Sequence, residues 1–299
     1  MIKLKVPATS ANIGSGFDSL GLAVQMYNTV KMDFYEGVKV ESLDSVDIPL
    51  NENNLIYKTA KYLFDICGKS LPGLYIQQEN VIPMARGLGS SSACIVAGLM
   101  GANLLMGSPL SRDELVNMAA GMEGHPDNST PAILGGQVTA AIENGKVFYC
   151  RQEVHPDLTF AAIIPDFELK TSVARSALPK EVPHKDAVYN LSRAALMAAS
   201  LATGKYENLR VACGDRLHQP YRLSLIPHAS EVIGCAVEYG AYGAYISGAG
   251  STLMAIVPAG DKEHFFRSMR SHLDAVHLEG WRLMMLEPDN CGAQAETME

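Results

Sequence analysis

The spacing of apolar and polar positions changes several times along the chain, and each change predicts a switch between strand and helix. Strand-like segments, several of them ended by glycine, proline or asparagine, are predicted at residues 1–6, 24–34, 38–42, 74–82, 137–142, 158–164, 244–257 and 281–286. Helical segments are predicted at residues 53–67, 93–105, 111–122, 185–202, 209–217 and 261–275. We expect Pro7 to end the first strand and the alanine-rich run 185–202 to face the core.

The pattern restarts near residues 150–158, and we place a domain boundary there. This gives an N-terminal domain of residues 1–155 and a C-terminal domain of residues 156–299, the second being more helical. The length of 299 residues suits either one large domain or two of ordinary size. The polar tail from Asp289 to Glu299 is expected to be frayed.

The amino-acid composition limits the classes of function that the protein can have. Hydrophobic residues make up 47% of the chain and charged residues 19%, as in an ordinary soluble protein with a sizeable core. The formal net charge of −8 argues against nucleic acid or an anionic membrane surface as a partner. No apolar run reaches the roughly 18 residues of a membrane-spanning helix, and no signal or transit peptide is recognisable. The six scattered cysteines lack a C-x-x-C pair and are expected to be reduced thiols. These features predict a cytoplasmic protein.

The segment from Pro83 to Ala93 carries the strongest candidate chemistry. Gly87 and Gly89 stand one residue apart, and three serines at 90–92 follow them at the start of a helical run. Glycine lets the backbone come close to a ligand, and the first N–H groups of a helix attract anions. The segment has neither the Gly-Lys-Ser/Thr end of a Walker A loop nor a Gly-x-Gly-x-x-Gly pattern. Taken alone, it is either an anion cradle or an ordinary turn with a serine cap.

The small, polar and glycine residues of segment 7–23 predict a shaped loop. Asn12 and Asp18 are its two groups with strong capacity to bind a ligand. An amide and a carboxylate so placed could together hold a hydroxyl and an ammonium group. The alternative is that both residues only cap turns, as Asn and Asp commonly do.

The end of the helix predicted at 111–122 is unusually rich in chemical groups. Glu123, His125, Asp127 and Asn128 lie within six residues, next to a glycine and a proline. Because the dipole at a helix C-terminus disfavours negative charge, a cation would stabilise Glu123 there. A magnesium ion that carries nucleotide phosphates is one such cation. The alternative is a helix-ending loop of solvated polar groups.

Two arginines and a glycine-rich turn complete the candidate groups. Arg175 and Arg222 each lie in a polar segment, and each is either a surface residue with a packed stem or a fork for a carboxylate or phosphate. The turn at residues 247–252 joins two apolar strands. It is either a tight hairpin or a place where another backbone or a ligand comes very close.

Three segments, in their order and spacing, resemble those of the GHMP kinases, the small-molecule kinases of the galactokinase, homoserine, mevalonate and phosphomevalonate group. They are Pro7-Ala8-Thr9-Ser10-Ala11-Asn12, Gly87-Leu88-Gly89-Ser90-Ser91 and Ser247-Gly248-Ala249-Gly250-Ser251-Thr252. Within this group, four motifs are most similar to those of the homoserine kinases of threonine biosynthesis. They are Asn12-x-Gly-x-Gly-Phe-Asp18, His125-Pro-Asp-Asn128, Thr171-x-x-x-Arg175 and Pro220-Tyr221-Arg222.

The resemblance implies an α+β protein with the two-domain GHMP kinase fold. Its N-terminal domain would resemble domain 2 of ribosomal protein S5, with left-handed βαβ crossovers, and would bind ATP. Its C-terminal domain would be ferredoxin-like. The implied activity is phosphorylation of the side-chain hydroxyl of L-homoserine, with ATP and Mg²⁺ required. A homodimer is suggested by this resemblance alone.

The resemblance also implies roles for individual residues. The ATP site would comprise Asn54, near the adenine, together with Pro83, Arg86, Gly87, Leu88, Gly89, Ser90, Ser91 and Ser92. Ser91 and Glu123 match the pair that coordinates magnesium. The homoserine site would comprise Asn12, Asp18, His125, Asn128, Thr171, Arg175, Arg222 and Gly248. In it, Asp18 would pair with the substrate ammonium and the two arginines with its carboxylate.

The residues expected to act in catalysis are Asn128, Glu123, Ser91 and Arg175. Asn128 would orient the reacting hydroxyl, and because a side-chain amide is not a useful base at neutral pH, we expect phosphoryl transfer without a dedicated base. General acid–base catalysis by His125 is the less favoured alternative. A related kinase acting on a different, mevalonate-type alcohol is the second hypothesis for the whole chain. A non-catalytic nucleotide-binding regulator is the third.

Overall fold

Two β-sheets with covering helices form the framework of the molecule. The structure is a computed structural model that describes residues 1–298. The strands are β1 (Ile2–Ala11), β2 (Leu20–Phe34), β3 (Gly37–Ser42), β4 (Gly73–Glu79), β5 (Gln137–Glu143), β6 (Lys146–Gln152), β7 (Leu158–Ile164), β8 (Gly243–Ile246), β9 (Leu253–Pro258), β10 (Arg282–Leu286) and β11 (Gln294–Thr297). The helices are α1 (Leu55–Ile66), α2 (Ser90–Leu105), α3 (Arg112–Glu123), α4 (Ser129–Leu134), α5 (Thr171–Ser176), α6 (His184–Thr203), α7 (Leu209–Ala212), α8 (Gln219–Arg222), α9 (Ala229–Glu238) and α10 (Lys262–Ala275).

The two sheets differ in topology. The first has seven strands, in the order β11-β1-β2-β4-β3, with β5 paired to β2 and β6 paired to β5. Its β3 and β4 are parallel and are connected through α1. The second sheet has the order β10-β7-β9-β8 and is antiparallel throughout. Its elements β7-α9-β8-β9-α10-β10 follow the order of a ferredoxin-like domain, with α5 to α8 inserted between β7 and α9.

The connection between the sheets runs from Gln152 at the end of β6 to Leu158 at the start of β7. The expected boundary between residues 155 and 156 lies in this connection. Because β11 returns to the first sheet, residues 294–297 pair with the N-terminal half. The division into two domains stays a prediction.

Helix α2 is buried around most of its circumference and positions the glycine loop that precedes it. A Cβ atom on Gly98 would lie 2.7 Å from Cβ of Thr59 and 2.8 Å from the carbonyl oxygen of Ile56. Only glycine therefore allows α1 and α2 to approach this closely. The packed helix holds its N-terminus at Ser90 in one place.

Two local predictions are confirmed by the structure. Ser111 and Glu114 form the capping box that opens α3, since each side chain accepts a backbone N–H of the other. Asn144 and Gly145, both with positive φ, form the turn between β5 and β6.

The prediction that Pro7 ends the first strand is wrong. Strand β1 continues to Ala11, and its register against β2 shifts between Pro7 and Ala8. An irregularity of this kind accommodates a residue that cannot donate a ladder hydrogen bond. The loop that carries Asn12 and Asp18 is consequently shorter than predicted.

Two predictions for the second half are also corrected. The helix expected over 209–217 ends at Ala212, because the Asp215 carboxylate instead accepts the backbone N–H groups that precede and open α8. Helix α6 does not face the core along its length; its buried residues are Asn190, Met197 and Ser200, and Leu191 is 72% exposed. The short helix α4 and helix α9 were not predicted.

Residues 289–298 of the polar tail are ordered rather than frayed, and Glu299 lies outside the described residues. Residues 294–297 form β11, which pairs antiparallel with β1. Asp289, which is 4% exposed, accepts hydrogen bonds from the hydroxyl of Tyr27 at 2.7 Å and from the N–H groups of Cys291 at 2.9 Å and Gly292 at 2.6 Å. The buried carboxylate thus fixes the path of the chain into β11.

We expect Asp289→Ala to lower the free energy of unfolding by about 2–3 kcal/mol, because it leaves buried donors without their charged acceptor. Glu296→Ala, in the same tail, removes only an exposed ion pair with Lys3 and should cost less than about 1 kcal/mol. Urea unfolding of both variants measures the difference. Equal losses would contradict the anchoring role of Asp289.

Candidate active site

A cavity of about 450 Å³ lies where loops of the first sheet meet the 247–251 turn and α5. The predicted ATP-phosphate and homoserine residues all line it. They are Asn12, Asp18, Pro83, Arg86, Gly87, Leu88, Gly89, Ser90, Ser91, Ser92, Glu123, His125, Asn128, Thr171, Arg175, Arg222 and Gly248. The structure therefore brings together side chains from both halves of the chain.

Asn54, predicted near the adenine, does not line the cavity. Its Oδ1 accepts the N–H groups of Ile56 at 2.9 Å and Tyr57 at 3.4 Å, and so caps α1. Its Nδ2 donates to the carbonyl of Pro49 and to Oε1 of Gln78. The amide has thereby used its donors and acceptors within the protein. Its contact with adenine stays a prediction.

The glycine loop has the conformation of an anion cradle. Gly87 and Gly89 both have φ above +70°. A Cβ atom on Gly87 would lie 2.2 Å from the carbonyl oxygen of Ser247, and one on Gly89 would lie 2.0 Å from Oγ1 of Thr9. Within residues 1–298, no acceptor contacts the backbone N–H groups of residues 90–92. These free donors and the helix dipole favour a bound anion.

Contacts with the second sheet hold this loop in place. The Arg86 guanidinium donates to the carbonyl oxygens of Pro165 at 3.1 Å and Asp166 at 3.0 Å. The Arg86 carbonyl accepts the N–H of Thr252, and the Gly87 carbonyl accepts the Ser247 hydroxyl at 2.6 Å. Arg86 thus lines the cavity, while its guanidinium is hydrogen-bonded to the C-terminal half of the chain.

Glu123 is the buried carboxylate of the site. Its Oε1 accepts the hydroxyl of Ser92, and its Oε2 is buried without a hydrogen-bond partner among the described residues. Burial raises the pKa of Glu123, and the hydrogen bond from Ser92 and the charge of His125 only partly oppose this. Ser91, the predicted metal partner, lines the cavity, but the serine in contact with Glu123 is Ser92.

The residues fit a magnesium ion. Mg²⁺ prefers one or two protein oxygens together with phosphates and water, and the unpaired Oε2 of Glu123 near the serine hydroxyls offers this. Asp18, His125 and Asp127 also have ligand atoms within 4.8 Å of one another. Those three, however, already make hydrogen bonds to each other or to Arg175, so Glu123 is the better candidate.

A hydrogen-bonded chain fixes the amide of Asn128. The Thr9 hydroxyl donates to Asn128 Oδ1 at 2.8 Å, and Asn128 Nδ2 donates to Asp127 Oδ1 at 3.4 Å. Since a carboxylate only accepts, Asp127 selects this orientation of the amide. His125 Nδ1 lies 2.6 Å from the same carboxylate oxygen. Burial lowers the pKa of His125, but its hydrogen bond to Asp127 and the nearby negative charges outweigh burial and raise it.

Asp18 and Arg175 pair with each other. The guanidinium donates to both carboxylate oxygens, at 3.1 Å and 2.8 Å, and this raises the pKa of Arg175. Both side chains are about one-third exposed to the cavity. Sequence reasoning assigned each of them to an opposite charge on the substrate, and the pairing between them was not foreseen.

Arg222 is the most deeply placed cation of the site, with 2% of its surface exposed. Its Nη1 donates to the carbonyl oxygen of Gly248 at 2.9 Å and lies 3.2 Å from Nδ1 of His218. Burial, followed by the charge of Arg175, lowers the pKa of Arg222 to about 10. The guanidinium carbon lies 5.2 Å from the centre of the Phe17 ring.

Asn12 shapes the loop rather than projecting freely. Its Nδ2 donates to the carbonyl oxygen of Gly248 at 2.9 Å, and its Oδ1 accepts the N–H of Asp18 at 3.0 Å. Asn12 and Asp18 both have positive φ, which Asn and Asp tolerate better than most residues. These contacts aim the Asp18 carboxylate into the cavity.

Sequence reasoning gave no role to Thr9, Lys170 or His218. Lys170 lines the cavity beside Thr171, and no motif in the neighbouring sequence indicates this role. Thr9 lies inside the Pro7–Asn12 motif. His218 stands four residues before Arg222, a spacing that brings two side chains together on a helical turn.

Comparison with known proteins agrees with the fold. The family models for the GHMP kinase N-terminal and C-terminal domains match residues 54–136 and 197–275. Homoserine kinases of Caldicellulosiruptor saccharolyticus and Clostridium beijerinckii are each 47% identical to the chain, over 98% of its length and 96% and 98% of theirs. The crystal structure of homoserine kinase from Cytophaga hutchinsonii has a TM-score of 0.88 and 27% identity, covering 99% of this chain and 97% of that one.

These similarities extend over nearly the whole chain and include both halves of the cavity. The chain therefore belongs to the homoserine kinases of the GHMP kinase family.

Proposed function

We propose that the chain transfers the γ-phosphoryl group of ATP to the side-chain hydroxyl of L-homoserine, giving O-phospho-L-homoserine for threonine biosynthesis. The observation that carries the proposal is one continuous cavity, which joins the Gly87–Ser92 cradle to Asp18, Arg175 and Arg222. A cradle of free N–H groups suits a nucleotide phosphate. A carboxylate between two guanidinium groups suits an amino acid.

The charged residues would recognise both ends of the amino acid. Asp18 would bind the ammonium group, and Arg175 and Arg222 would bind the carboxylate. On binding, Asp18 would exchange the Arg175 guanidinium for the substrate ammonium, and Arg175 would exchange the Asp18 carboxylate for the substrate carboxylate. Each group keeps a partner of opposite charge, so no charge is left unbalanced. A mevalonate-type substrate has a carboxylate but no ammonium group, and it would leave Asp18 without this exchange.

Asn128 would orient the reacting hydroxyl. Thr9 and Asp127 hold its amide so that Nδ2 has a second hydrogen, which can donate to the substrate oxygen. That oxygen forms a bond to the γ-phosphorus while the bond from the γ-phosphorus to the leaving oxygen of ADP breaks. The hydroxyl proton passes to phosphate or solvent, since this reaction depends mainly on alignment and charge neutralisation.

Backbone N–H groups at the start of α2 would hold the phosphate oxygens and stabilise charge in the transition state. Glu123 and Ser91 would hold Mg²⁺, which when bound supplies further neutralisation of the phosphate charge. Ser92 would keep the Glu123 carboxylate turned towards the cradle.

A direct test of the proposed function measures ATP consumption by the purified protein with L-homoserine, L-threonine, L-serine and mevalonate. We expect turnover with L-homoserine to exceed that with each of the others by at least about a hundredfold in kcat/KM, because a buried site rejects a mismatched polar group strongly. Absence of homoserine-dependent turnover would overturn the proposal. A preference for mevalonate would point to the related kinase instead.

Asp18→Asn keeps the size of the side chain but removes the charge that would meet the substrate ammonium. We expect the KM for L-homoserine to rise about ten- to hundredfold, with the KM for ATP nearly unchanged. Steady-state kinetics in both substrates make the comparison, and Asp47→Asn, at an exposed position outside the cavity, is the control. Equal rises in both KM values would remove Asp18 from the substrate site.

Glu123→Gln tests the magnesium assignment. It removes a negative oxygen while keeping an acceptor for Ser92, so we expect the Mg²⁺ concentration for half-maximal rate to rise at least about tenfold. The rate is measured against free Mg²⁺ at saturating ATP. Glu52→Gln, on the exposed surface, should leave the midpoint unchanged. An unshifted midpoint for Glu123→Gln would show that the ion is held elsewhere.

A further inference from the structure

The imidazole of His218 lies directly behind the cavity, and none of the side chain is exposed. Its Nε2 lies 3.7 Å from Oδ2 of the buried Asp215 side chain, and the ring makes three other contacts. Nε2 lies 2.7 Å from the carbonyl oxygen of Gly14, Nδ1 lies 3.2 Å from Arg222 Nη1, and the ring stacks on Phe17 with centroids 5.1 Å apart. The ring therefore touches the substrate-site loop on one side and the buried arginine on the other.

These contacts determine which nitrogen carries the hydrogen. The Gly14 carbonyl can only accept a hydrogen bond, so His218 Nε2 must be the donor. The Arg222 guanidinium can only donate, so His218 Nδ1 must be the acceptor and carry no hydrogen. Both contacts are satisfied together only by the neutral ring. Burial lowers the pKa of His218 and so favours this neutral form, although the charge of Asp215 acts in the opposite direction.

The same hydrogen bonds determine which nitrogens of Arg222 remain available for a ligand. One hydrogen of Nη1 goes to the Gly248 carbonyl and the other to His218, so Nη1 is fully occupied. No hydrogen bond within residues 1–298 uses Nε or Nη2, and Nε is buried without a partner. Nε and Nη2 form the edge of a guanidinium that binds a carboxylate in bidentate fashion.

We propose that His218 is a positioning residue for substrate recognition, acting through Arg222. By accepting from Nη1, it fixes the rotation of the guanidinium so that the Nε–Nη2 edge serves the substrate carboxylate. Asp215 supports this arrangement, because its carboxylate accepts the backbone N–H of His218 at 2.9 Å and of Gln219 at 2.6 Å. The inference rests on the proposed function, since it assigns part of the selectivity for an amino-acid alcohol.

The decisive experiment is a double-mutant cycle on the full-length protein. His218→Phe keeps a planar ring against Phe17 but removes both hydrogen bonds. We expect it to raise the KM for L-homoserine about ten- to hundredfold while kcat and the KM for ATP change by less than about threefold. In an Arg222→Met background, the same change should add less than about twofold to the loss of kcat/KM, because the group it positions is gone.

A rescue variant separates positioning from packing. His218→Gln retains one donor for Gly14 and one acceptor for Arg222, and it should recover the homoserine KM to within about fivefold of the original value. His264→Phe, at an exposed site on α10, controls for the loss of an imidazole. Thermal unfolding of each variant checks that the fold is kept.

The outcomes separate the two proposals. A wild-type protein without homoserine-dependent turnover overturns the proposed function, and the role of His218 with it. An active wild type whose His218→Phe variant keeps its homoserine KM overturns the positioning role alone. So does a loss that is fully additive with Arg222→Met, or one that affects the KM for ATP equally.

Discussion

The close packing of the glycine loop against the 247–251 turn is the contact on which the site depends. The Ser247 hydroxyl lies between the Gly87 carbonyl, at 2.6 Å, and the Ser10 hydroxyl, at 2.8 Å, so the three motif segments meet at one side chain. A side chain on Gly87 would collide with the Ser247 carbonyl, 2.2 Å from its Cβ, and would force the sheets apart. The phosphate cradle comes from the first half of the chain and the two arginines from the second. Without this contact they would be separate surfaces rather than one cavity.

Charge balance inside that cavity explains why its groups are held so tightly. A buried charge is costly unless it is paired, and burial indeed shifts the pKa of Glu123 upwards and that of Arg222 downwards, each towards its neutral form. The Asp18–Arg175 ion pair lowers the cost of placing these two charges in the cavity, and under the proposed function a zwitterionic ligand would preserve the charge balance on replacing the pair. The positive φ angles of Asn12 and Asp18 show the backbone cost of aiming this carboxylate inwards.

Much of the framework could be predicted from the sequence, because strand alternation, the capping box at Ser111 and the hairpin at Asn144-Gly145 are local signals. Most of the residues that line the cavity could be predicted as well, since the motifs named the residue types and their order. The extension of β1 beyond Pro7 and the pairing of β11 could not, because both depend on a partner strand far away in the chain. The Asp18–Arg175 ion pair could not be predicted for the same reason. A motif indicates that a residue carries charge into a site, but only the fold decides which opposite charge it meets first.

Two of the three serines at the start of α2, Ser91 and Ser92, can be told apart by helix geometry. Successive residues on an α-helix point about 100° apart, so Ser91 and Ser92 cannot both face the cradle in the same way. The structure turns Ser92 towards α3, where it is buried and donates to Glu123, and it leaves Ser91 exposed at the cavity. A run of serines that looks redundant in the sequence therefore divides into two functions. One hydroxyl is exposed to the cavity, and the other holds the Glu123 carboxylate.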